Sequence, residues 1–220
     1  SNETNITGTL NVLLAARDNK AKKVVFASSA SVYGDAPVSP KQEDMKPDPL
    51  SPYALTKLTA EYYCRIFNDV YKLPTACLRY FNVYGPRQAP DSQYAAVIPK
   101  FIQRIIEGKS PVIFGDGEQS RDFVFVKDVV AANILAAETG ATGIFNIGQG
   151  KKTTLNELTR IMLKFLDRKD IQPIYEKERM GDIKHSLADI TRVRSIGYSP
   201  QYDIETGIRE TIRSFSNNPA

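Results

Sequence analysis

At 220 residues, 42% hydrophobic and 25% charged, the chain can bury a large core, and no run of eighteen apolar residues is available to span a membrane. Its net charge of +4 is scattered, the densest clusters being Lys20, Lys22, Lys23 and Lys151, Lys152, too thin a stripe for a nucleic-acid surface. Two cysteines, Cys64 and Cys77, and the single His185 leave no zinc or haem site to argue for; the pattern suggests buried thiols in a reducing, cytoplasmic compartment. The polar stretch Ser1 to Thr9 carries no basic segment of the kind that opens a secretory leader.

Apolar side chains at Leu10, Leu13, Leu14 and Ala16 predict a helix over Thr9–Arg17, and Val24 to Ser28 reads as a strand buried on both faces. Five prolines between Pro37 and Pro52 mark an irregular loop. Ser51 and Pro52 then supply the N-cap and first position of a helix reaching Tyr71. A strand is expected at Thr75–Phe81, completing a strand, crossover helix, strand unit of a parallel sheet. Further on, the pattern predicts a helix near Ile98–Glu107, strands at Val112–Phe114 and Asp122–Val126, a helix over Asp128–Glu138 and a strand at Ile144–Ile147. Thr154 with Glu157 forms a capping box for a helix to about Leu166, and Asp203 opens a last helix through Ile204, Ile208, Ile212 and Phe215.

This rhythm gives an α/β fold: the C-terminal part of a doubly wound parallel sheet plus a smaller interleaved α/β lobe. Such a sheet carries a glycine-rich phosphate turn after its first strand, yet no G-x-G-x-x-G occurs here and the chain opens inside a helix. The expectation is that an N-terminal segment bearing that turn is missing.

Tyr53 and Lys57 are four apart on one predicted helix, so the side chains share a face and the ammonium can favour a phenolate. Alone, such a pair is close to what chance supplies. Ser28, Ser29 and Ser31, however, end the strand Val24 to Ala27, and ligands of open α/β sheets bind beyond the carboxyl ends of strands. A hydroxyl there, in a protein that also offers Tyr and Lys on the next helix, can hydrogen-bond a substrate hydroxyl and shuttle its proton. The bland alternative is a serine-rich turn that caps backbone groups.

The motifs Phe26-Ala-Ser-Ser-Ala-Ser-Val-Tyr-Gly34, Ser51-Pro-Tyr-Ala-Leu-Thr-Lys57, Leu78-Arg-Tyr-Phe-Asn-Val-Tyr-Gly-Pro86, Gly115-Asp-Gly117 through Arg121-Asp-Phe123 and Phe145-Asn-Ile-Gly148 occur in the order found in the extended short-chain dehydrogenase/reductase superfamily. The chain most resembles its NAD-dependent epimerase/dehydratase branch, specifically the UDP-sugar 4-epimerases, from Asn5 to the final helix. The resemblance implies a Rossmann-like fold, with residues 1–82 the remaining half of an NAD-binding domain to which 122–147 returns, and 83–220 mainly a UDP-sugar lobe. It implies Tyr53 as base, Lys57 as its activator and ribose ligand, and Ser29 as the hydroxyl on the sugar 4-OH. Asn5, Ser28 and Tyr80, with Tyr53 and Lys57, would stand by NAD. Asn82, Arg121 and Arg179 would hold the diphosphate and uridine, Asp182 the ribose, and Ala96, Val97 and Phe114 the base, while Ser186 would leave room at the sugar C2 for an N-acetyl group. Permanently charged, bidentate arginines suit a diphosphate.

Sugar dehydratases and decarboxylases of the superfamily place acids just after the catalytic hydroxyl, where this chain has Ala30 and Ser31, neither of them an acid or base near neutral pH. Epimerisation is therefore expected, with a truncated, non-catalytic UDP-sugar binder or another sugar dehydratase or reductase as alternatives. Without a glycine-rich turn, the 220 residues alone are expected to bind NAD poorly. Family members commonly dimerise through the helices matching 4–19 and 52–71, which makes a homodimer the expected assembly.

Overall fold

The computed structural model describes residues 2–90, 96–178 and 184–216. A π-helical turn, Glu3–Thr7, runs directly into α1 (Gly8–Asp18), and β1 (Val24–Ser29) follows. A 3-10 turn, Ala30–Tyr33, bends the chain away from β1 into the expected irregular loop. Gly34 ends that turn at φ +58, where an added Cβ would fall 1.9 Å from the Asp48 carbonyl oxygen, so the loop can fold back only over a glycine. α2 (Pro52–Tyr71) begins as anticipated, with Ser51 Oγ accepting the Ala54 N–H at 3.1 Å, and it ends where Lys72 turns left-handed.

β2 (Thr75–Tyr80) lies between β1 and β7 (Gly143–Ile147) in a three-stranded parallel sheet, with Ser29 beside Tyr80 and Tyr80 beside Ile147. One face packs against α1 and α2 through Leu13, Cys64, Phe67 and Cys77, and both cysteines are free and buried. The other packs through Leu78, Phe145 and Ile147 against α4 (Val126–Glu138). β1 is half-buried rather than covered on both faces, because among the described residues it pairs with β2 alone and Ala27 faces solvent.

The second region is built from short ladders: β3 (Asn82–Tyr84) with β6 (Phe123–Phe125), β4 (Val112–Phe114) with β9 (Ile174–Glu176), and β5 (Ser120–Arg121) with β8 (Thr153–Thr154). α3 (Val97–Ile106), α5 (Leu155–Phe165) and α7 (Ile204–Ser216) close a separate apolar core around Ile102, Phe125, Leu158 and Ile208. Thr154 caps α5 by accepting the Glu157 N–H at 3.1 Å, and Asp203 caps α7 through the Thr206 N–H at 2.8 Å. The strand expected over Asp122–Val126 forms as the shorter β6, because Asp122 turns inward and Val126 opens α4, and an unanticipated two-residue strand, β5, precedes it. β3, β8, β9 and α6 (Thr191–Arg194) were not anticipated: runs of two to four residues carry no periodicity. Ala188, Ile190 and Val193 return to the sheet core, so the end of the chain buttresses both regions. No helix among the described residues is long and apolar enough to cross a membrane.

Candidate active site

The carboxyl end of β1 delivers Ser29 to the N-cap of the 3-10 turn, where its Oγ accepts the Ser31 N–H at 3.2 Å. An oxygen already accepting keeps its own hydrogen to donate. Ser29 opens onto a cavity of 210 Å³ whose walls also include Tyr80, Asn82, Arg121 and Ser186. Five residues singled out in the sequence, spread over nearly 160 positions, thus meet in one space.

A second cavity, of 280 Å³, is walled by Ala96, Val97 and Phe114, the three residues expected at the base, together with Lys100 and Gln119. Asn82 and Arg121 line both cavities. Asn82 opens β3 with its backbone N–H on the Asp122 carbonyl at 3.0 Å, and Arg121 ends β5 with Nη1 on the Ser120 carbonyl at 3.0 Å. The joint between the cavities is therefore set by adjacent strand ends. A larger cavity of 460 Å³ lies between α2 and the 43–47 loop, but its acids and bases are equal in number and no candidate residue reaches it. Size does not locate this site.

Tyr53 and Lys57 stand in the first turns of α2, outside the walls of the 210 Å³ cavity. Tyr53 is 47% exposed, and the Lys57 Nζ lies 5.8 Å from the centre of its ring. That ammonium donates to the Ala27 carbonyl at 2.8 Å, two residues before Ser29, so α2 is tied to the same strand end. Burial holds the Lys57 pKa below the usual lysine range. Asn5 donates to the Thr56 hydroxyl at 3.0 Å, and that hydroxyl donates to the Tyr53 carbonyl at 2.8 Å, which braces the turn bearing the phenol. The Tyr80 hydroxyl donates to Asn133 at 2.9 Å.

Ser28, expected beside the cofactor, lies at the end of β1 but outside the Ser29 cavity. Successive strand residues face opposite sides of a sheet, and Ser28 points away from the cavity that Ser29 meets. Its hydroxyl donates instead to the buried Glu61 carboxylate at 2.5 Å. Arg179 and Asp182 lie outside the described residues. The sequence reading missed Lys41, a buried lysine on the wall of the Ser29 cavity, and Lys100 and Gln119 at the other. None falls on a strand end or in a spacing that marks it, although Gln119 belongs to the Gly115–Phe123 motif.

Residues 2–148 match the model of the NAD dependent epimerase/dehydratase family. The chain is similar to UDP-glucose 4-epimerase of Mycolicibacterium smegmatis, with 38% identity over 216 residues, covering 97% of this chain and 68% of that protein. Among solved structures it superimposes with a TM-score of 0.95 and 47% identity on UDP-N-acetylglucosamine 4-epimerase from Methanobrevibacter ruminantium M1 in complex with UDP-N-acetylmuramic acid, over 98% of this chain and 70% of that one. It superimposes with a TM-score of 0.93 and 38% identity on UDP-glucose 4-epimerase from Thermotoga maritima with UDP-glucose, again over 98% and 70%.

Proposed function

Since the chain belongs to the NAD dependent epimerase/dehydratase family, we propose that it interconverts UDP-sugars differing in configuration at C4, through transient oxidation of that carbon. The observation that carries this reading is the pair of cavities joined at Asn82 and Arg121. One sets Ala96, Val97 and Phe114 beside Lys100 and Gln119, apolar faces with polar edges that suit a flat base. The other presents hydroxyls and suits a hexose, and the joint offers a guanidinium and an amide to the diphosphate between them. No carboxylate of a described residue lines the hexose cavity, so no acid of a dehydratase or decarboxylase stands there.

The residues that would hold NAD are Asn5, Tyr53, Lys57 and Tyr80. Their arrangement fits it: the phenol is open to solvent, and the Lys57 ammonium has one carbonyl partner and two further donors for a ribose hydroxyl. When bound, NAD supplies the hydride acceptor and donor. Tyr53 takes the proton of the sugar 4-OH as that carbon is oxidised, and Ser29 donates its hydrogen to the same oxygen. Arg121 and Asn82 keep the diphosphate fixed while the 4-keto hexose turns over, so that reduction occurs on the opposite face and Tyr53 returns the proton. A firm grip far from the reacting carbon and a loose one beside it are both required.

The finer assignment is UDP-N-acetylglucosamine or UDP-glucose as substrate, the small Ser186 leaving space for the acetamido group. A homodimer is inferred from α2, where Leu55, Tyr62 and Ile66 form one exposed apolar stripe, with Val12 exposed on α1. The NAD-loaded full-length protein should convert both UDP-sugars to mixtures with their galacto epimers, followed by the anomeric proton resonances. A 4-keto-6-deoxy product would overturn the reading in favour of dehydration. Light scattering at tens of micromolar should give twice the protomer mass, and a monodisperse monomer would count against the dimer.

A further inference from the structure

A buried polar network behind the candidate catalytic residues has no part in the chemistry above. Glu61, one turn beyond Lys57 on α2, is 3% exposed, and Arg79, the residue before Tyr80 on β2, is 1% exposed. The guanidinium grips the carboxylate twice, Nε to Oε1 at 2.9 Å and Nη2 to Oε2 at 2.7 Å. The same Oε1 accepts the Ser28 hydroxyl, one residue before Ser29. Arg79 also stacks over Tyr33, 4.7 Å from the ring centre, and the Tyr33 hydroxyl donates to Asn146 on β7 at 2.6 Å. The strand register places Ser28, Arg79 and Asn146 in one row across the sheet, directly before the row of Ser29, Tyr80 and Ile147.

We propose that the Glu61–Arg79 pair, with Ser28 and Tyr33, is a positioning device that locks α2 in register against the carboxyl ends of β1 and β2, and so fixes Lys57 and Tyr53 relative to Ser29. Stability alone does not account for the pair, because well-packed apolar residues of similar volume commonly serve as well as a buried ion pair. Apolar packing, however, tolerates sliding, whereas a planar fork with two bonds fixes both distance and direction. Each member is tied to a candidate site group: Ser28 and Arg79 adjoin Ser29 and Tyr80 in the chain, and Glu61 follows Lys57 on the same helix. Misplacement of about 1 Å can cost about 100-fold in rate, so register is where a catalytic helix needs a fixed brace.

The inference rests on the epimerase reading for its activity readout and on backbone protection for an independent one. In the NAD-loaded full-length protein, the double change Glu61→Met with Arg79→Met removes both charges and leaves neither unpaired. The expected result is a folded protein with KM and UDP affinity within about twofold of wild type and kcat lower by about 10- to 100-fold. Hydrogen exchange at the Ser31 and Gly34 amides should accelerate about tenfold or more while that at Ile208 in α7 stays unchanged. A folded double variant with wild-type kcat and unchanged exchange at Ser31 would overturn the proposal. Should the wild type epimerise neither UDP-sugar, the functional reading fails and the exchange measurement alone decides this one. If the double variant does not fold, Arg79→Lys carries the test, since a point charge cannot form the fork: lower kcat at constant KM supports the device, and wild-type kcat overturns it.

Discussion

The two ends of the cleft are held in different ways. At the end proposed for the hexose, three strands pair in a continuous parallel ladder, a bidentate ion pair and hydrogen bonds from Ser28 and Lys57 pin α2 to it, and the Arg79 guanidinium stacks over Tyr33 in the turn after β1. At the end proposed for the nucleotide, ladders of two or three residues lie against helices that meet through Ile, Leu and Phe side chains. A reacting carbon needs distances fixed to a fraction of an ångström, and directional polar contacts provide that. A base and a diphosphate need shape and charge, which a conventional apolar core behind an arginine supplies.

The largest departure from wild type should follow from breaking the hexose end at its phenol. In the NAD-loaded full-length protein, Tyr53→Phe should lower kcat by about 100- to 10,000-fold, the range of general acid–base contributions, and leave UDP affinity within about twofold. Retention of a tenth of wild-type turnover would remove Tyr53 from the chemistry. The reverse pattern is expected at the other end. Arg121→Met should weaken UDP binding in calorimetry by about 10- to 100-fold, as expected for a charge-assisted contact of about 1.5–3 kcal/mol, with kcat changed less than about threefold. A collapse of kcat with UDP affinity intact would erase the distinction between the two regions.

These two ends also differed in how far the sequence exposed them. β1, α2 and β2 were readable because apolar runs, a Ser-Pro cap and a crossover of known length each leave a local trace, and Ser29, Tyr53 and Lys57 sit at their ends. β8 and β9 exist only through pairing with distant partners, Arg121 with Thr153 and Ile113 with Tyr175, which no local pattern encodes. Family resemblance, and not periodicity, singled out Ala96, Val97 and Phe114, which line one cavity together. Ser28 shows the opposite limit. Its place in a serine cluster suggested function, but strand alternation and a carboxylate eighteen residues before Arg79 decided where it points.

Selectivity offers a sharper test of the hexose end than loss of activity. Ser186 shares its cavity with Ser29, and its backbone N–H is fixed to the Ser120 carbonyl at 3.0 Å, so a larger side chain there cannot retreat with the backbone. Ser186→Tyr should lower kcat/KM for UDP-N-acetylglucosamine about tenfold more than for UDP-glucose, because a phenol would take the acetamido volume. Equal loss on both substrates would place the selecting wall elsewhere.

The smallest expected effect, and one on stability alone, lies where the two regions join. Asp122 sits between β5 and β6, fully buried, and accepts backbone N–H groups of Gln149 at 2.7 Å, Gly150 at 2.9 Å and Ala188 at 3.1 Å. Burial pushes its carboxyl up to about 6, and the three N–H donors offset only part of that. An unfolded aspartate titrates near ~3.9. Between these values the folded protein holds a proton that the unfolded chain has released, so the contribution of this group is fully present below about pH 4 and is lost as pH rises through about 6. In Asp122→Asn the titration is gone, although an NH2 facing N–H donors lowers stability at every pH. The Tm advantage of wild type over the Asp122→Asn variant should therefore shrink by a few degrees between pH 4.5 and 7.5, given about 2–4 °C per kcal/mol for a chain of this size. An advantage that grows with pH would mean that the three N–H bonds outweigh burial and that the joint is held by a carboxylate ionised throughout.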